Sequence, residues 1–562
     1  MHLKTRGIEI LTELRIGVFV CNCGSNIGSI INCSELADYA KNLPNVVFAE
    51  DNLYTCSETG LTKIKNGIKE HNLNRVVVAA CTPRTHEPLF RGICNEMGLN
   101  PYYFEFVNIR EQCSWVHQKE IHKANLKARD LVKMGVARSA RLEALEKYQV
   151  EVTSSSLVIG GGISGITAAL SLAEQGFEVY LVEKKRKLGG MLNDLYRISP
   201  NYEDPSEYLQ LVKKVEQQPK IILHTNSEII SIEGYIGNFY VTIKGQNKVE
   251  SVEVGTIIVA VGAQVLKPVD YYNYNGKDII THQELEKLLK ENKINQKNIV
   301  MIQCVGSRIE ERHYCSNICC MNALKNAIII KERAPDTNIT ILYRDINTPG
   351  TKNELYYRDV RKNEVIFLRY NVNKPPVIED GKIRVYNNSL KDDIELDYDL
   401  VVLSTPLIPN EDNKALSQML KVPLEENGFF LEAHVKLRPV DFATDGLFVC
   451  GSAKWPVSIS EAIAQAKATA AKAAIILCKP RFEVEGSTAR VDTEKCVGCE
   501  VCIKICPYGA ITKDDNDQVL VRNVLCKGCG LCGATCPHQA ISINHFTNPQ
   551  ILSQINALVE RE

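Results

Sequence analysis

The stretch SSSLVIGGGISGITAALSLAEQGFEVYLVEK, residues 154–184, decides how the middle of the chain folds. It opens on an apolar run, breaks at glycines, continues at helical spacing and closes on a second apolar run ending in Glu183. That order predicts strand, tight turn, helix, strand. Gly160, Gly162 and Gly165 give G-x-G-x-x-G directly after the first strand, and Glu183 stands 23 residues after Gly160. The first glycine makes the turn, the second lets backbone approach a pyrophosphate, and the third packs helix on strand. The acid takes ribose hydroxyls. Ile163 and Ser164 open the helix, whose N-terminus would receive the phosphates, and Lys184 follows the acid. The stretch predicts a Rossmann-type α/β dinucleotide site.

Three further segments favour FAD over a nicotinamide dinucleotide. Leu188-Gly189-Gly190-Met191 follows the acidic strand end, as in flavoproteins with two dinucleotide domains. TIIVAVGA (256–263) resembles their strand that returns to the flavin pyrophosphate, with Gly262 at its end. TDGLFVCGSAKW (444–455) resembles their second FAD segment, where a strand ends in Gly-Asp. Here the strand ends in Gly451-Ser452, before a helical stretch at 459–475, and a Ser hydroxyl takes the place of the acid toward the ribityl chain. The plain alternative for this last segment is a buried strand.

Such flavoproteins insert a second Rossmann unit for NAD(P)H. Its strand pattern is here: NIVMIQ (298–303), a helix over 319–333, then NITILYR (338–344). The glycine turn is not. In its place stand Cys304-Val-Gly-Ser-Arg308 and then Cys315, Cys319 and Cys320. Without the glycine turn the second unit has no pyrophosphate seat. Four cysteines can hold an iron–sulfur cluster beside the flavin; a redox disulfide or buried structural thiols are the alternatives.

Two copies of C-x2-C-x2-C-x3-C-P close the chain, CVGCEVCIKICP (496–507) and CKGCGLCGATCP (526–537). Thiolates at this spacing bind [4Fe–4S] clusters, and the fourth Cys of each run serves the other cluster. One cluster then takes Cys496, Cys499, Cys502 and Cys536, the other Cys526, Cys529, Cys532 and Cys506. The doubled spacing and both following prolines argue against a pair of zinc knuckles. Residues 481–562 read as a bacterial-type ferredoxin domain that transfers single electrons.

At the other end, RIGVFVCNCG (15–24) and RVVVAACTPR (75–84) are β-branched runs that end in Cys. Amphipathic stretches at 34–42, 61–70 and 119–138 make residues 1–150 a small α/β domain. Ligands in such sheets gather at the carboxyl ends of strands, where Cys23 and Cys81 fall, Cys21 being one pleat earlier. With Cys56 and Cys113 they offer five candidates for a four-thiol cluster. Cys33 and Cys94 sit in helix-like segments and read as packing residues. His86 could be a ligand, but the preferred reading is a loop residue bonded to backbone.

The composition fits this division. The chain has 562 residues, 45% apolar and 24% charged, enough for several cores. Its net charge of −1 argues against nucleic acid or an anionic membrane as main partner. No apolar run is long enough for a signal peptide or a membrane span, and 21 clustered cysteines without an export signal suit metal ligands in the cytoplasm better than disulfides.

Together these segments resemble the HdrA family, the flavin and iron–sulfur subunits of heterodisulfide reductase in methanogens and their bacterial relatives. The carriers are VFVCNCGSNI, VVVAACTPRTHEPLF, NIREQCSWVH, VIGGGISGITAAL, QCVGSR, CSNICCMNALKNA and the doubled ferredoxin motif. The resemblance implies a thioredoxin-reductase-like FAD domain over 151–480, with a [4Fe–4S] cluster on Cys304, Cys315, Cys319 and Cys320 in its second lobe, about 295–400. It implies a cluster in the N-terminal domain, matched here to Cys23, Cys56, Cys81 and Cys113 with Cys21 in reserve, and so four [4Fe–4S] clusters in all. It places Lys325, about one and a half turns after Cys320, near flavin N5 as a catalytic group. The implied activity is flavin-based electron bifurcation or confurcation. The implied partners are B- and C-type heterodisulfide reductase subunits (HdrB and HdrC), ferredoxin and an electron-input protein (hydrogenase, formate dehydrogenase or NADH module), around a homodimer. In one respect the chain departs from the methanogen pattern: residues 227–245 run on without the inserted ferredoxin domain, which puts bifurcation in question and leaves a plain flavin and iron–sulfur relay as the other reading.

Overall fold

The computed structural model describes residues 13–198, 203–246 and 248–560. These fall into two compact units, one made of residues up to Gln149 with those from Glu483 on, the other of Val150–Phe482.

In the first unit, four strands make a parallel sheet in the order Val46–Asn52, Ile16–Cys21, Arg75–Ala80, Phe104–Asn108. The two β-branched runs form the centre and are almost wholly buried, as a parallel sheet covered on both faces requires. Side chains alternate. Ile16, Val18 and Val20 pack under helices Cys33–Lys41 and Ile121–Ser139; Phe19 and Cys21 pack under helices Glu58–Glu70 and Pro83–Glu96. Cys33 and Cys94 lie in these two cores. The helix Pro83–Glu96 corrects the reading of His86 as a loop residue. Pro83 suits the first turn, and the helix runs on past Pro88 to bury Phe90 and Ile93.

The C-terminal part of this unit repeats itself as its sequence does. Strands Ala489–Val491 and Ile541–Ile543 pair antiparallel, as do Ile511–Lys513 and Val519–Val521. Each cysteine run is a loop followed by a five-residue helix, Val501–Ile505 and Leu531–Thr535. A closing helix, Asn548–Val559, starts on a Thr547–Gln550 capping box and lies along Ile121–Ser139.

The second unit contains two parallel five-stranded sheets that share the order of four strands. The first runs Leu447–Val449, Thr256–Val259, Ser155–Ile159, Glu178–Val182, Ile221–His224. The second runs Ile279–Thr281, Leu400–Leu403, Asn298–Ile302, Asn338–Tyr343, Ile366–Arg369. Each is interrupted by a three-stranded antiparallel excursion, at 228–254 and 377–397. In the first of these, Glu228–Tyr235 and Asn238–Lys244 are joined by Ile236-Gly237 alone, so the chain runs straight through where the resemblance led one to look for an insert. Among the described residues no helix is long and apolar enough to cross a membrane.

Candidate flavin and iron–sulfur sites

The glycine turn sits at the carboxyl end of the strand Ser155–Ile159, on the wall of a cavity of about 1310 Å³. Gly160 has φ +110°, and a Cβ there would stand 2.4 Å from the Ala260 carbonyl oxygen. A Cβ on Gly165 would stand 1.8 Å from the Gly160 carbonyl oxygen, so the helix seats against the turn only because no side chain is there. Gly162 is different: a Cβ there meets nothing within 4 Å, which leaves open space where a phosphate approaches the start of helix Ile163–Ala173. Ile163, Ser164, Glu183, Lys184, Gly189, Gly190, Met191, Gly262 and Ser452 share the same cavity wall.

The supporting bonds are local and long-range in turn. Gly189 N donates to Gly161 O at 2.8 Å, which lays the second glycine loop on the first. Glu183 accepts from Gly161 N at 2.6 Å and from Lys185 N at 2.7 Å, so its carboxylate braces the turn as well as facing the cavity. Gly451, at φ +66°, packs so close to Ser164 that a Cβ would meet its Oγ at 2.1 Å. Three further residues serve this site, and no spacing in the sequence signals them. Asn410 Nδ2 donates to the carbonyls of Val261 and Gly262 at 2.9 and 3.1 Å, Gln465 Oε1 accepts from Gly451 N at 2.9 Å, and Asp412 pairs with Lys184. The volume of the cavity and its bare glycines fit a dinucleotide cofactor.

The four cysteines of 304–320 come together in the second lobe. Cys304 follows the strand Asn298–Ile302 with a left-handed backbone (φ 61°), as do Gly306, Arg308 and Asn317, so the chain loops before helix Cys319–Arg333 begins. The thiols lie close enough that ionising one would disfavour ionising another: Cys304 is raised by Cys315, Cys319 by the other three, and Cys320 by Cys304 and Cys315. Burial pushes Cys304 and Cys319 up and takes Cys320 to about 11, so as free thiols they keep their protons, which iron must displace. Asn317 N donates to Cys315 Sγ at 3.3 Å. The same segment reaches the flavin cavity: Asn317, Ile318, Met321 and Asn322 form part of its wall.

Lys325 stands elsewhere. It is not a solvated helix residue, since only 1% of it is exposed, and it is absent from the cavity wall. Its ammonium is ion-paired with buried Glu286 and donates to the carbonyl of Arg197, a wall residue, at 2.9 Å. Burial lowers its pKa, and the Glu286 carboxylate works against that shift.

In the C-terminal motif, one small cavity is lined by Cys496, Cys499, Cys502 and Cys536, and a second by Cys506, Cys526, Cys529 and Cys532. The crossing of the fourth cysteine is therefore present in the fold. Backbone amides already turn to the sulfurs: Ala489 N to Cys526, Ala510 N to Cys506 and Ala540 N to Cys536, each at 3.3 Å.

In the N-terminal sheet Cys21 stands among the candidate thiols, while Cys113 bonds elsewhere. Cys21 feels Cys23 and Cys56, Cys81 feels Cys21 and Cys56, and Arg110 lies beside Cys81 and Cys23. Thr55 N donates to Cys21 Sγ at 3.5 Å. Cys113, in the π-helical turn Arg110–Ser114, is fully buried and its thiol donates to Ala124 O at 3.1 Å. Among the described residues no three His, Cys, Asp or Glu side chains converge on a single metal ion. Cluster thiols, each on a different iron, need to stand farther apart than that.

Residues 154–466 match the family described as pyridine nucleotide-disulphide oxidoreductase, and residues 489–543 match the 4Fe-4S dicluster domain. The middle of the chain is thus a FAD domain and its end an iron–sulfur domain. The chain is similar to a solved thioredoxin reductase of Lactococcus lactis, 17% identical over 58% of this chain and 99% of that one, with a TM-score of 0.41. It is 39% identical to the second iron-sulfur A subunit of CoB--CoM heterodisulfide reductase from Methanopyrus kandleri, over 91% of this chain and 92% of that one. It is 38% identical to the A subunit of H(2):CoB-CoM heterodisulfide,ferredoxin reductase from Methanothermobacter thermautotrophicus, over 99% of each. That alignment spans 654 residues, more than the 562 of this chain, so the relative carries inserted segments. Matched nearly end to end at this identity, the chain belongs to the HdrA family of heterodisulfide reductase and is a flavin and iron–sulfur oxidoreductase.

Proposed function

We propose that the chain distributes electrons within a heterodisulfide reductase-like complex. It takes electron pairs at FAD and passes them singly through four [4Fe–4S] clusters. The observation that carries this reading is the shared wall: the segment bearing Cys315, Cys319 and Cys320 also closes the flavin cavity through Asn317, Ile318 and Met321. FAD supplies the exchange between two-electron and one-electron chemistry; the protein supplies binding, orientation and electrostatics. Gly160, Gly162 and the start of helix Ile163–Ala173 hold the pyrophosphate, and Cys304, Cys315, Cys319 and Cys320 hold the neighbouring cluster. The ferredoxin cysteines hold two more. For the N-terminal cluster the thiol grouping favours Cys21 with Cys23, Cys56 and Cys81, in place of Cys113.

The partners in this reading are B- and C-type subunits, an electron-input module and ferredoxin, around a homodimer. The relatives' names include H(2), formate and F(420)H(2) as donors, so the input is set by the complex. The direct run of the chain through Ile236-Gly237 supports a second reading, a relay without bifurcation, because one branch present in the methanogen pattern is missing. Anaerobically purified protein should hold one FAD and about sixteen irons, four per cluster; about eight irons would leave only the ferredoxin clusters. Flavin electrochemistry separates the two readings. Crossed one-electron potentials support bifurcation, and normally ordered, well-separated potentials support the relay.

A further inference from the structure

Gln303 stands between the strand Asn298–Ile302 and Cys304. It is fully buried, and neither Nε2 nor Oε1 of its side chain has a hydrogen-bond partner in the protein. Its backbone is satisfied: N donates to Leu342 O at 2.9 Å, and its carbonyl accepts from Tyr370 Oη at 3.0 Å. A buried amide with no partner is costly, so the side chain points to a partner that the polypeptide does not supply.

The strand says where that partner lies. Ile299 and Met301 pack with Met321, Ala323 and Leu324 of helix Cys319–Arg333, whereas Val300 and Ile302 pack on the opposite face. The period of two puts Gln303 on the face of Ile299 and Met301, toward the helix that begins with Cys319 and Cys320. Other polar groups on this side bond one another. His282 lies between Ser404 Oγ at 2.6 Å and Asn326 Nδ2 at 3.2 Å, and Lys325 is held by Glu286 and Arg197. Asn326 Oδ1 also lacks a partner, and Gln303 makes no hydrogen bond to it.

We propose that Gln303 Nε2–H donates to a sulfur of the cluster held by Cys304, Cys315, Cys319 and Cys320. The sulfur is a thiolate or an inorganic sulfide. Hydrogen bonds to cluster sulfurs favour the more negative, reduced state, so Gln303 raises this cluster's reduction potential relative to an apolar residue. Gln303 is a tuning residue: it sets how readily the cluster beside the flavin accepts an electron. The inference rests on the proposed cluster at these cysteines.

The test is an EPR-monitored redox titration of full-length protein, wild type against Gln303→Met, which keeps the length of the side chain and removes the donor. The cluster's signal is assigned by its disappearance in Cys319→Ser. A wild type with no such signal removes the cluster reading and this inference with it. With the cluster present in both proteins, the expected result is a lower midpoint in Gln303→Met. We expect an approximately tenfold change in the ratio of oxidised to reduced cluster, about 59 mV for one electron. An unchanged midpoint, as a water bridging Gln303 and Asn326 would give, overturns the inference and leaves the cluster reading standing. If Gln303→Met fails to hold the cluster, wild type labelled with 15N at glutamine side chains decides by pulsed EPR. A 15N coupling to the assigned cluster supports the bond, and its absence refutes it.

Discussion

The two lobes of the FAD unit lay down four parallel strands in the same order with the same antiparallel excursion; the fifth, edge strand comes last in the first lobe and first in the second, and the loop after the central strand also differs. In the first lobe, helix Ile163–Ala173 begins directly after the glycines that follow Ile159. In the second, the strand ends at Ile302 and the next helix waits until Cys319. Ligands in open α/β sheets gather at the carboxyl ends of strands, so the fold offers both lobes the same position. The loop decides what is bound there. Short, bare glycines bring backbone N–H groups to an anion. A long loop of thiols suits a soft metal centre and lacks the G-x-G-x-x-G turn.

The strongest way to break the comparison is Gly165→Val. Its Cβ would collide with the backbone of Gly160, as close as 1.8 Å, and overpacking of this kind costs about 1–3 kcal/mol or more. We expect protein without FAD that keeps its ferredoxin iron, measured as flavin and iron per chain. Full flavin occupancy would mean that the turn does not hold the cofactor. Cys319→Ser is the converse: FAD stays, and about four of sixteen irons are lost.

The N-terminal sheet extends the comparison, since it too presents its groups at strand ends. Cys21→Ser should remove about four irons, and Cys113→Ser none. The reverse result would restore the ligand set matched by motif and require Cys113 to turn away from Ala124.

A smaller effect concerns Lys325, whose ammonium is buried in the second lobe with Glu286. Removing one partner strands a charge and should cost about 3–5 kcal/mol, measured by denaturant unfolding; Lys325→Met with Glu286→Leu should cost less than either alone. If the pair is only structural, the double variant keeps the flavin potentials of the wild type, whereas a shift would bring Lys325 back as a group that acts on the flavin. Least of all is expected from NADH or NADPH added to the purified chain. The second lobe has no glycine turn, so the flavin absorbance should not change, and rapid bleaching by either would show a nicotinamide site that this loop does not resemble.

Short-range patterns were legible in the sequence. The glycine turn, the helix over 319–333 and the spacing inside each ferredoxin cysteine run all depend on one or two elements, where the covalent chain itself limits the distances. Other features arise only when strands distant in sequence pair. Asn410 reaches back to Gly262, Gln465 caps the amide of Gly451, and Glu286 meets Lys325 from another helix. No local period announces such meetings. Five cysteines near the ends of the N-terminal strands were visible as candidates, but which four face one another depends on how the sheet and the turn at Arg110–Ser114 aim their side chains. The sequence by itself determined the chemistry available at each strand end, because residue type and spacing are local. Only the tertiary structure decided which groups share a wall, because burial and long-range pairing place them there.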